Sequence, residues 1–131
     1  MKTIICDYDM TLVDNRLWPI DHVIDFLNKY YGKYNIVIVS GRPLSNQNAI
    51  EKRLKVLGVK YNRIYLNPSL GGKLEHKKHI ARKLNKNNNV ALAIDDDIHM
   101  LNMYKHEGIH AVSPSNLNNE ILKFNWSHHF A

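Results

Sequence analysis

Five short apolar runs alternate with stretches of helical spacing along the chain, and this alternation restricts the possible folds more than any other feature. The runs are rich in Ile, Val and Ala and lie at residues 3–6, 35–39, 63–66, 90–94 and 109–112. Short, nearly continuous apolar runs bounded by polar residues are typical of strands buried on both faces of a parallel sheet. The sequence therefore predicts a parallel five-stranded sheet.

Between the runs, apolar residues recur every three or four positions, as they do on one face of a helix. The first helical stretch follows Pro19 and closes at Gly32, and the second closes at Gly58, which is the usual placing of proline and glycine around helices. The residues with helical spacing are Ile20, Val23, Ile24, Leu27 and Tyr31; Ala49, Ile50, Leu54 and Leu57; Ile80, Ala81 and Leu84; Ile98, Leu101 and Tyr104; and, in a short fifth helix, Leu117, Ile121 and Leu122. Five strand–helix units predict a doubly wound, Rossmann-like α/β fold with helices on both faces.

The length and composition favour one globular domain. We place a single domain at residues 1–131, since 131 residues leave no room for a second core. Hydrophobic residues make up 44% and charged residues 23%, which excludes collagen-like, disordered and disulfide-rich classes. An apolar run of about 20 residues, which a membrane helix needs, is missing, so we expect a cytoplasmic protein without a membrane partner. Cys6 is the only cysteine, and we expect it to be a buried core residue.

The charges are distributed unevenly along the chain. Residues 26–94 contain 14 of the 18 lysines and arginines but only Glu51 and Glu75 among the acids, a formal charge of +12 in a chain whose total is +6. A basic central segment between acidic flanking segments suits an anionic substrate. A polyphosphate or a nucleic acid would be such a substrate. A solvated surface explains the same charges equally well.

Charged and polar residues follow three of the five predicted strands directly. Asp7 and Asp9 follow the first strand, Ser40-Gly41-Arg42 follows the second, and Asp95-Asp96 follows the fourth. Ligands of doubly wound folds bind at the carboxyl ends of the strands. Carboxylates that converge there repel one another unless a cation is present, and Mg²⁺ is the natural candidate because it takes few carboxylates and keeps waters for a phosphate.

Four residues at these strand ends have individual interpretations. Ser40 and Gly41 suit a phosphate oxygen, because glycine lets a backbone N–H approach an anion closely. Arg42 offers a second, bidentate contact to an anion. We assign Asp97 to the N-cap of the helix that follows it.

The segment Asp7-Tyr8-Asp9-Met10-Thr11 resembles the DxDxT motif of the haloacid dehalogenase-like (HAD) phosphotransferases. Ser40 at the end of an apolar strand resembles their second motif, and Asp95-Asp96 resembles their acidic fourth motif. Lys77, with Ile80 three residues on, fits best the lysine that opens a helix in their third motif. The order of these motifs covers nearly the whole chain. The sequence departs from the pattern at Met10, where many members carry glycine, and this leaves the shape of the loop open.

The resemblance implies a role for each of these residues. It implies that Asp7 is the nucleophile that forms an aspartyl-phosphate and that Asp9 is the general acid and base. The phosphate-binding residues that it implies are Thr11, Ser40 and Lys77, beside Gly41 from the reasoning above. The implied ligands of Mg²⁺ are Asp7, the main-chain carbonyl of Asp9 and Asp95, with Asp96 as a further ligand or a residue just beyond the ligands. The implied activity is hydrolysis of a phosphomonoester.

Lys73 and Lys78 compete with Lys77 for the place of the phosphate-binding lysine. We expect Lys73 to lie in the loop of Gly71 and Gly72, before the helix. Lys78 points about 100° around the helix from Lys77. With Ile80 facing the sheet, Lys77 lies on the buried edge of the helix, so the spacing favours Lys77.

The substrate is indicated by what the chain lacks. Only residues 12–18 separate the first motif from the first helix, and only residues 67–76 separate the third strand from Lys77, so neither gap holds the cap domain that many HAD members carry.

The Ser40-Gly41-Arg42 segment, Arg16 and residues 90–96 are similar to the 3′-phosphatase domain of phage polynucleotide kinase/phosphatases. A GxxxxGK[ST] kinase motif does not occur in the sequence.

This narrower resemblance implies that Arg16 and Arg42 bind the substrate and that the substrate is the 3′-phosphorylated end of a nucleic acid. Two other functions stay open at this point. One is a phosphatase of a free nucleotide or another small phosphomonoester, and the other is a non-catalytic binding module on the HAD fold. The sequence does not indicate an oligomeric state.

Overall fold

A computed structural model describes residues 1–69 and 71–118. In chain order, the strands and α-helices are β1 (Thr3–Cys6), α1 (Asp21–Tyr30), β2 (Asn35–Pro43), α2 (Gln47–Val56), β3 (Arg63–Asn67), α3 (Lys73–Leu84), β4 (Val90–Ile94), α4 (Ile98–His106) and β5 (Ala111–Val112). Short 3₁₀ turns follow β2, α3 and β5. Strands and helices alternate throughout this part of the chain, as the sequence predicted.

The five strands form one parallel sheet in the order β3-β2-β1-β4-β5. The chain first builds outward from β1 through β2 to β3, and then crosses to the other side of β1 for β4 and β5. The order therefore reverses between β1 and β4. In a doubly wound fold, this switch point is where the carboxyl ends of the strands open a crevice for ligands.

Alternate residues of the strands face opposite sides of the sheet, and in the described part of the chain α1 and α2 pack on one side while α3 and α4 pack on the other. Cys6 of β1 packs in one core cluster with Leu27 of α1 and Leu54 of α2. Its neighbour Ile5 packs in a second cluster with the buried faces of α3 and α4, including Tyr104. The predicted doubly wound α/β fold is confirmed, and Cys6 is fully buried, as expected.

The second strand is longer than the sequence predicted. We expected Ser40 and Gly41 to follow the strand, whereas β2 continues through both to Pro43. The extension is possible because Pro43 pairs with Asn67 of β3 after a shift in register. Ser40 and Gly41 therefore belong to extended backbone at the edge of the crevice.

The helix that carries the predicted lysine begins earlier than expected. Gly72 is extended, and α3 starts at Lys73, with the His76 N–H donating to the Gly72 carbonyl at 3.3 Å. Lys73 is thus the first residue of the helix and does not lie in the loop. Lys77, which was expected to open the helix, lies in its second turn.

The remaining differences lie near the end of the chain. The fifth strand is limited to Ala111–Val112, although residues 109–112 were predicted, and Ile109 is buried just before it. The predicted fifth helix, with Leu117, Ile121 and Leu122, extends past residue 118 and lies outside the described residues. Among the helices that the structure describes, none is long and apolar enough to cross a membrane.

Within residues 1–69 and 71–118, neither connection in which a cap domain is inserted contains one. Between β1 and α1 the chain forms a compact loop in which Val13 bridges to both Asp9 and Pro19. A short loop joins β3 to α3. The crevice at the switch point is therefore open, as expected for a capless chain.

Candidate active site

The carboxyl ends of β1 and β4 bring Asp7 and Asp95 side by side. Cys6 pairs with Ile94 at the ends of the two strands, and the Asp7 N–H donates to the Ile94 carbonyl at 2.9 Å. Both carboxyl groups are buried, with exposed fractions of 6% for Asp7 and 0% for Asp95. The two acids meet at the switch point, where the sequence placed them.

Lys77 of α3 forms ion pairs with both of these carboxylates. Its Nζ lies 2.9 Å from Oδ1 of Asp7 and 2.7 Å from Oδ2 of Asp95, and it is almost fully buried. Lys77 lies on the same helical face as Ile80 and Ala81, which pack against the sheet. The amphipathic pattern of α3 thus carries a cation into the crevice.

The two competing candidates, Lys73 and Lys78, lie differently. Lys78 is turned toward Glu75, with 3.7 Å between Nζ and Oε1. Lys73 lines the crevice, and its aliphatic stem lies over Gly41. A Cβ added at Gly41 would lie 2.6 Å from Cγ of Lys73, so the close approach requires glycine or a displaced lysine. Of the three lysines, Lys77 is the one in contact with Asp7.

The buried acids outnumber the buried cation that faces them. Burial raises the pKa of Asp7 and of Asp95, and the ammonium of Lys77 opposes this rise. Burial also disfavours the charged form of Lys77, but the two carboxylates outweigh it and raise its pKa. Lys77 stays protonated, while Asp7 and Asp95 compete for a single positive charge.

Asp96 adds a third carboxylate to the group. Single carboxylate oxygens of Asp7, Asp95 and Asp96 all lie within 4.8 Å of one another, with Asp96 exposed at the mouth of the crevice. These are three of the four residues for which the sequence predicted a metal. The side chain of the fourth, Asp9, is not part of this cluster.

Thr11 connects the first motif to the acidic group. It is fully buried, and its hydroxyl donates to Oδ2 of Asp7 at 3.3 Å and lies 3.5 Å from Oδ1 of Asp96. Lys77 contacts the other oxygen of Asp7, so a cation and a hydroxyl flank the same carboxylate on its two sides. The loop after β1 holds Thr11 in place through turns that return to the carbonyl of Tyr8.

Asp97 has a second contact besides its predicted cap. Its carboxylate accepts the N–H of His99 at 2.8 Å, which confirms the N-cap of α4. Its own N–H donates to Oδ1 of Asp95 at 3.0 Å. With Lys77 on Oδ2, both oxygens of Asp95 are held, so the start of α4 fixes the orientation of this acid.

Asp9 is held away from the acidic group by Arg42. The guanidinium donates from Nε to Oδ2 and from Nη2 to Oδ1 of Asp9, both at 2.8 Å. Nη1 also reaches Oδ1 of Asn46 at 3.4 Å. The two ion-paired side chains are 42% and 41% exposed, so this contact faces solvent, unlike that of Lys77.

The loop around Asp9 depends on one residue with positive φ. Met10 has φ of 60°, in the left-handed region that glycine adopts most readily. A left-handed conformation costs an ordinary residue about 1 kcal/mol. The residue that departs from the HAD pattern therefore keeps the backbone conformation that glycine would favour.

Of the two predicted phosphate-binding residues on β2, Gly41 lines the crevice and Ser40 is buried directly before it. Ser40 is fully buried, and its Oγ accepts the N–H of Arg42 at 3.1 Å. Gly41 lines the crevice together with Lys73. Gly41 therefore lies at the edge of the site, whereas the Ser40 hydroxyl lies behind it and accepts a hydrogen bond from the local backbone.

Comparison with solved structures identifies the fold. A chain of the Pnkp1/Rnl/Hen1 RNA repair complex matches with a TM-score of 0.77 and 18% identity, and a chain of a second Pnkp1/Rnl/Hen1 complex matches with 0.76 and 19%. The core domain of a protein named a putative phosphoglycolate phosphatase, from Streptococcus pneumoniae, matches with a TM-score of 0.54 and 18% identity. Each match covers 86% of this chain. The chain has the HAD-like fold.

The same comparisons limit what is shared. This chain spans 42% and 45% of the chains from the two RNA repair complexes, and 78% of the phosphatase core domain. No protein-family model matches the sequence, and a search of curated proteins gives no match. Identities below 20% show the HAD-like fold alone.

Arg16 does not join the rest of the HAD-like crevice. Its side chain is exposed on the loop before α1, and its N–H donates to Oδ1 of Asp14 at 2.8 Å. Among the described residues that line the crevice, Arg16 is absent, whereas Arg42 is present. Of the two arginines predicted to bind the substrate, Arg42 therefore lies at the crevice and Arg16 does not, because the tight loop around Asp14 turns Arg16 outward.

Sequence reasoning missed two contributors to the site. Asn46 supports Arg42, and the main-chain N–H of Asp97 orients Asp95. Asn46 lies three residues after Pro43 and belongs to no recognised motif, so nothing in the sequence indicated this contact. The N–H of Asp97 was detectable, because an acid two residues before an N-cap is placed to accept a backbone hydrogen bond.

Proposed function

We propose that this chain is a Mg²⁺-dependent phosphomonoester hydrolase that forms an aspartyl-phosphate on Asp7. The observation that carries the proposal is the buried contact of Asp7 with Lys77, beside Asp95, at the switch point of a HAD-like sheet. A buried carboxylate is a nucleophile, and the ammonium beside it neutralises the oxygens of an incoming phosphoryl group. Asp9, two residues after Asp7, supplies a group for proton transfer.

The acidic group suits Mg²⁺ in both charge and chemistry. Asp7, Asp95 and Asp96 offer oxygen ligands, which Mg²⁺ prefers, and three acids face one buried ammonium. We assign the ligands to these three carboxylates and to the main-chain carbonyl of Asp9. When bound there, Mg²⁺ would neutralise charge on the phosphoryl oxygens and orient the phosphate against Asp7.

The first half of the reaction transfers the phosphoryl group to the protein. A carboxylate oxygen of Asp7 bonds to phosphorus while the bond from phosphorus to the ester oxygen breaks. Protonated Asp9 gives its proton to the leaving oxygen, which departs as an alcohol. Lys77 and Thr11, which contact the two oxygens of Asp7, are placed to hold oxygens of the transferring group.

The second half returns the protein to its starting state. Asp9, now a carboxylate, takes a proton from water, whose oxygen bonds to phosphorus while the bond from phosphorus to Asp7 breaks. Inorganic phosphate leaves. Arg42 holds both oxygens of Asp9, so this contact must open before Asp9 carries a proton. An anionic substrate that takes over the guanidinium would release Asp9.

We propose the 3′-phosphorylated end of a nucleic acid as the substrate. Three observations support it: the formal charge of +12 on residues 26–94, the open crevice without a cap, and the likeness to chains of an RNA repair complex. In this proposal, Arg42 and Ser40-Gly41 at the edge of the crevice contact the substrate. Arg16, outside the crevice, would contact phosphates farther along the nucleic-acid strand.

A phosphatase of a small phosphomonoester is the second candidate. The observation that favours it is the likeness to the core domain of the protein named a phosphoglycolate phosphatase. A non-catalytic module would keep the fold without turnover. The single domain at residues 1–131 and the cytoplasmic location also stay proposals.

One assay separates these functions. The purified protein is incubated with a 3′-phosphorylated oligonucleotide, the matching mononucleotide and glycerol 2-phosphate, each with Mg²⁺ and with EDTA. We expect hydrolysis only with Mg²⁺ and the highest kcat/KM for the oligonucleotide. Preference for the mononucleotide or glycerol 2-phosphate would support the second candidate, and absence of turnover on all three would indicate the binding module.

A further inference from the structure

A second cavity adjoins the acidic crevice and shares one wall with it. The crevice with Asp7 and Asp95 has a volume of about 170 Å³, and the neighbouring groove has a volume of about 380 Å³. Arg42 lines both. A molecule whose phosphate enters the crevice therefore meets this groove on the far side of Arg42.

The groove has an apolar wall and a basic rim. Ala49, Ile50 and Val56 of α2 contribute apolar surface, and Tyr8 contributes from the loop after β1. Arg42, Lys52 and Arg53 are the charged residues in the described part of its lining, and all three are cationic. The combination suits a flat apolar group that is attached to phosphates.

The groove is held open by contacts of its own. The Arg53 guanidinium donates through Nε to the Leu17 carbonyl at 3.0 Å, and through Nη2 to the same oxygen. Leu17 has φ of 65°, and its loop is closed by Asp14, whose carboxylate accepts the N–H of Trp18 at 3.0 Å. Residues on α2 and on the loop are therefore joined across the groove, and its shape exists before any ligand binds.

We propose that this groove binds the base of the nucleotide whose phosphate enters the acidic crevice. The proposal rests on the proposed phosphatase function and assigns a site to the leaving group of that reaction. A purine or pyrimidine would lie against Ala49 and Ile50, with the sugar passing Arg42. A sugar phosphate without a base would leave the groove empty, so the groove would select nucleotides over other phosphomonoesters.

The test compares substrates with and without the base. One oligonucleotide carries its 3′-phosphate on an ordinary nucleotide, and the other carries it on an abasic tetrahydrofuran residue. Ala49→Glu places bulk and charge in the groove at an exposed helical position, and Asn48→Glu makes the same change of charge at an exposed position outside it. Glycerol 2-phosphate, which has no base, reports the effect of charge alone.

We expect the wild-type protein to favour the substrate with the base by about tenfold in kcat/KM, the scale expected for covering part of an apolar surface. Ala49→Glu should bring this ratio close to one, and Asn48→Glu should leave it near ten. Asn48→Glu, outside the groove, should hydrolyse glycerol 2-phosphate at the wild-type rate. A wild-type ratio near one, or an unchanged ratio in Ala49→Glu, would overturn the assignment of the groove.

A binding measurement keeps the test independent of turnover. Adenosine 3′-monophosphate and its abasic analogue are titrated into the wild-type protein and both variants in EDTA. The groove predicts about tenfold tighter binding of the nucleotide, which Ala49→Glu removes and Asn48→Glu keeps. If this holds while no substrate is hydrolysed with Mg²⁺, the proposed hydrolase fails and the base site stands. Equal binding of the two compounds rejects the base site.

Discussion

Two carboxylate–cation contacts lie in the same crevice in opposite environments. Lys77 meets Asp7 and Asp95 in a buried place, where its side chain is 4% exposed. Arg42 meets Asp9 where both side chains are more than 40% exposed. The distances are nearly the same, between 2.7 and 2.9 Å, so geometry alone does not distinguish the two contacts.

The difference lies in what each contact costs to break. Removing one partner of a buried pair leaves an uncompensated charge, which costs about 3–5 kcal/mol. Exposed pairs contribute about 0–1 kcal/mol, because water and salt screen them. The buried group is therefore a fixed part of the fold, whereas the pair of Asp9 and Arg42 is able to open during a reaction. The proposed reaction would use both kinds of contact: a nucleophile that is held rigidly and a proton carrier that is free to exchange.

Asp7→Asn should have the largest effect on activity. We expect kcat to fall by more than about 10⁴-fold, because an amide is a poor nucleophile and the covalent step is lost. Phosphatase assays and labelling of the protein with radioactive phosphate measure the loss. Asp25→Asn, on the exposed side of α1, is the matched control and should keep full activity. Retention of more than a few per cent of turnover in Asp7→Asn would disprove the covalent mechanism.

Lys77→Met should damage both activity and stability. We expect a loss in kcat of about 10²- to 10³-fold, the range for one charge-stabilising donor. In EDTA, the free energy of unfolding should fall by about 3 kcal/mol, because two buried acids lose their cation. Urea denaturation and steady-state kinetics are the measurements. Lys73→Met and Lys78→Met are the controls, and a larger loss in kcat at either would show that another lysine holds the phosphate.

Asp9→Asn should separate activity from stability. We expect kcat to fall by about 10²-fold or more, since a positioned acid and base contributes that much. Because Asp9 is exposed, the free energy of unfolding should change by less than about 1 kcal/mol. Acid-quenched samples should contain phosphorylated protein that turns over slowly. Wild-type rates at neutral pH would exclude Asp9 from proton transfer.

Arg42→Ala should affect binding more than folding. We expect the KM of a 3′-phosphorylated oligonucleotide to rise about tenfold, the loss of one charge-assisted contact, and the KM of the mononucleotide to rise less. Unfolding in urea should be nearly unchanged, in contrast to Lys77→Met. Arg63→Ala, at an exposed position on β3, is a control for the loss of one positive charge. Equal KM changes for both substrates would show that Arg42 does not contact the backbone phosphates of the oligonucleotide.

Salt should produce the smallest change, and only at the exposed contact. For two phosphate contacts on a single strand, the affinity for an oligonucleotide should fall about sevenfold between 50 and 200 mM salt. The mononucleotide should respond weakly. Equilibrium binding to the Asp7→Asn variant at several salt concentrations tests this expectation. An affinity for the oligonucleotide that does not change with salt would indicate that the lysines and arginines within residues 26–94 form an ordinary solvated surface.

The sequence predicted the fold well, because buried parallel strands leave a local signal. The run at Val90–Ile94 coincides with β4, and every residue in it is buried. Strand ends are less local. β2 extends to Pro43 only because Asn67, far along the chain, pairs with it. A partner that is distant in sequence cannot be identified from the strand itself, so Ser40 and Gly41 were placed outside it.

The sequence predicted the position of a site residue well where the end of a strand determines it. The prediction was weaker where the position depends on the orientation of a side chain. Asp7 and Asp95 met as expected, since neighbouring parallel strands bring their ends together. Lys77, chosen from the resemblance to the third motif and from helical spacing, is the one of the three candidate lysines that contacts Asp7, and its contact with a phosphate stays a prediction. The orientation of Arg16 was not predictable, because it depends on the turn around Asp14. The roles of all these residues stay predictions until the variants are assayed.

The central position of β1 has a consequence for how the chain reaches its native state. β1 is paired on both sides, with β2 and with β4, and β4 lies more than 80 residues later in the sequence. Contacts of such long sequence separation form late and slow the folding of a domain. During synthesis, β1, which Asp7 directly follows, emerges more than 80 residues before its second partner, β4. The buried group of Asp7, Lys77 and Asp95 therefore forms only after β4 has joined the sheet.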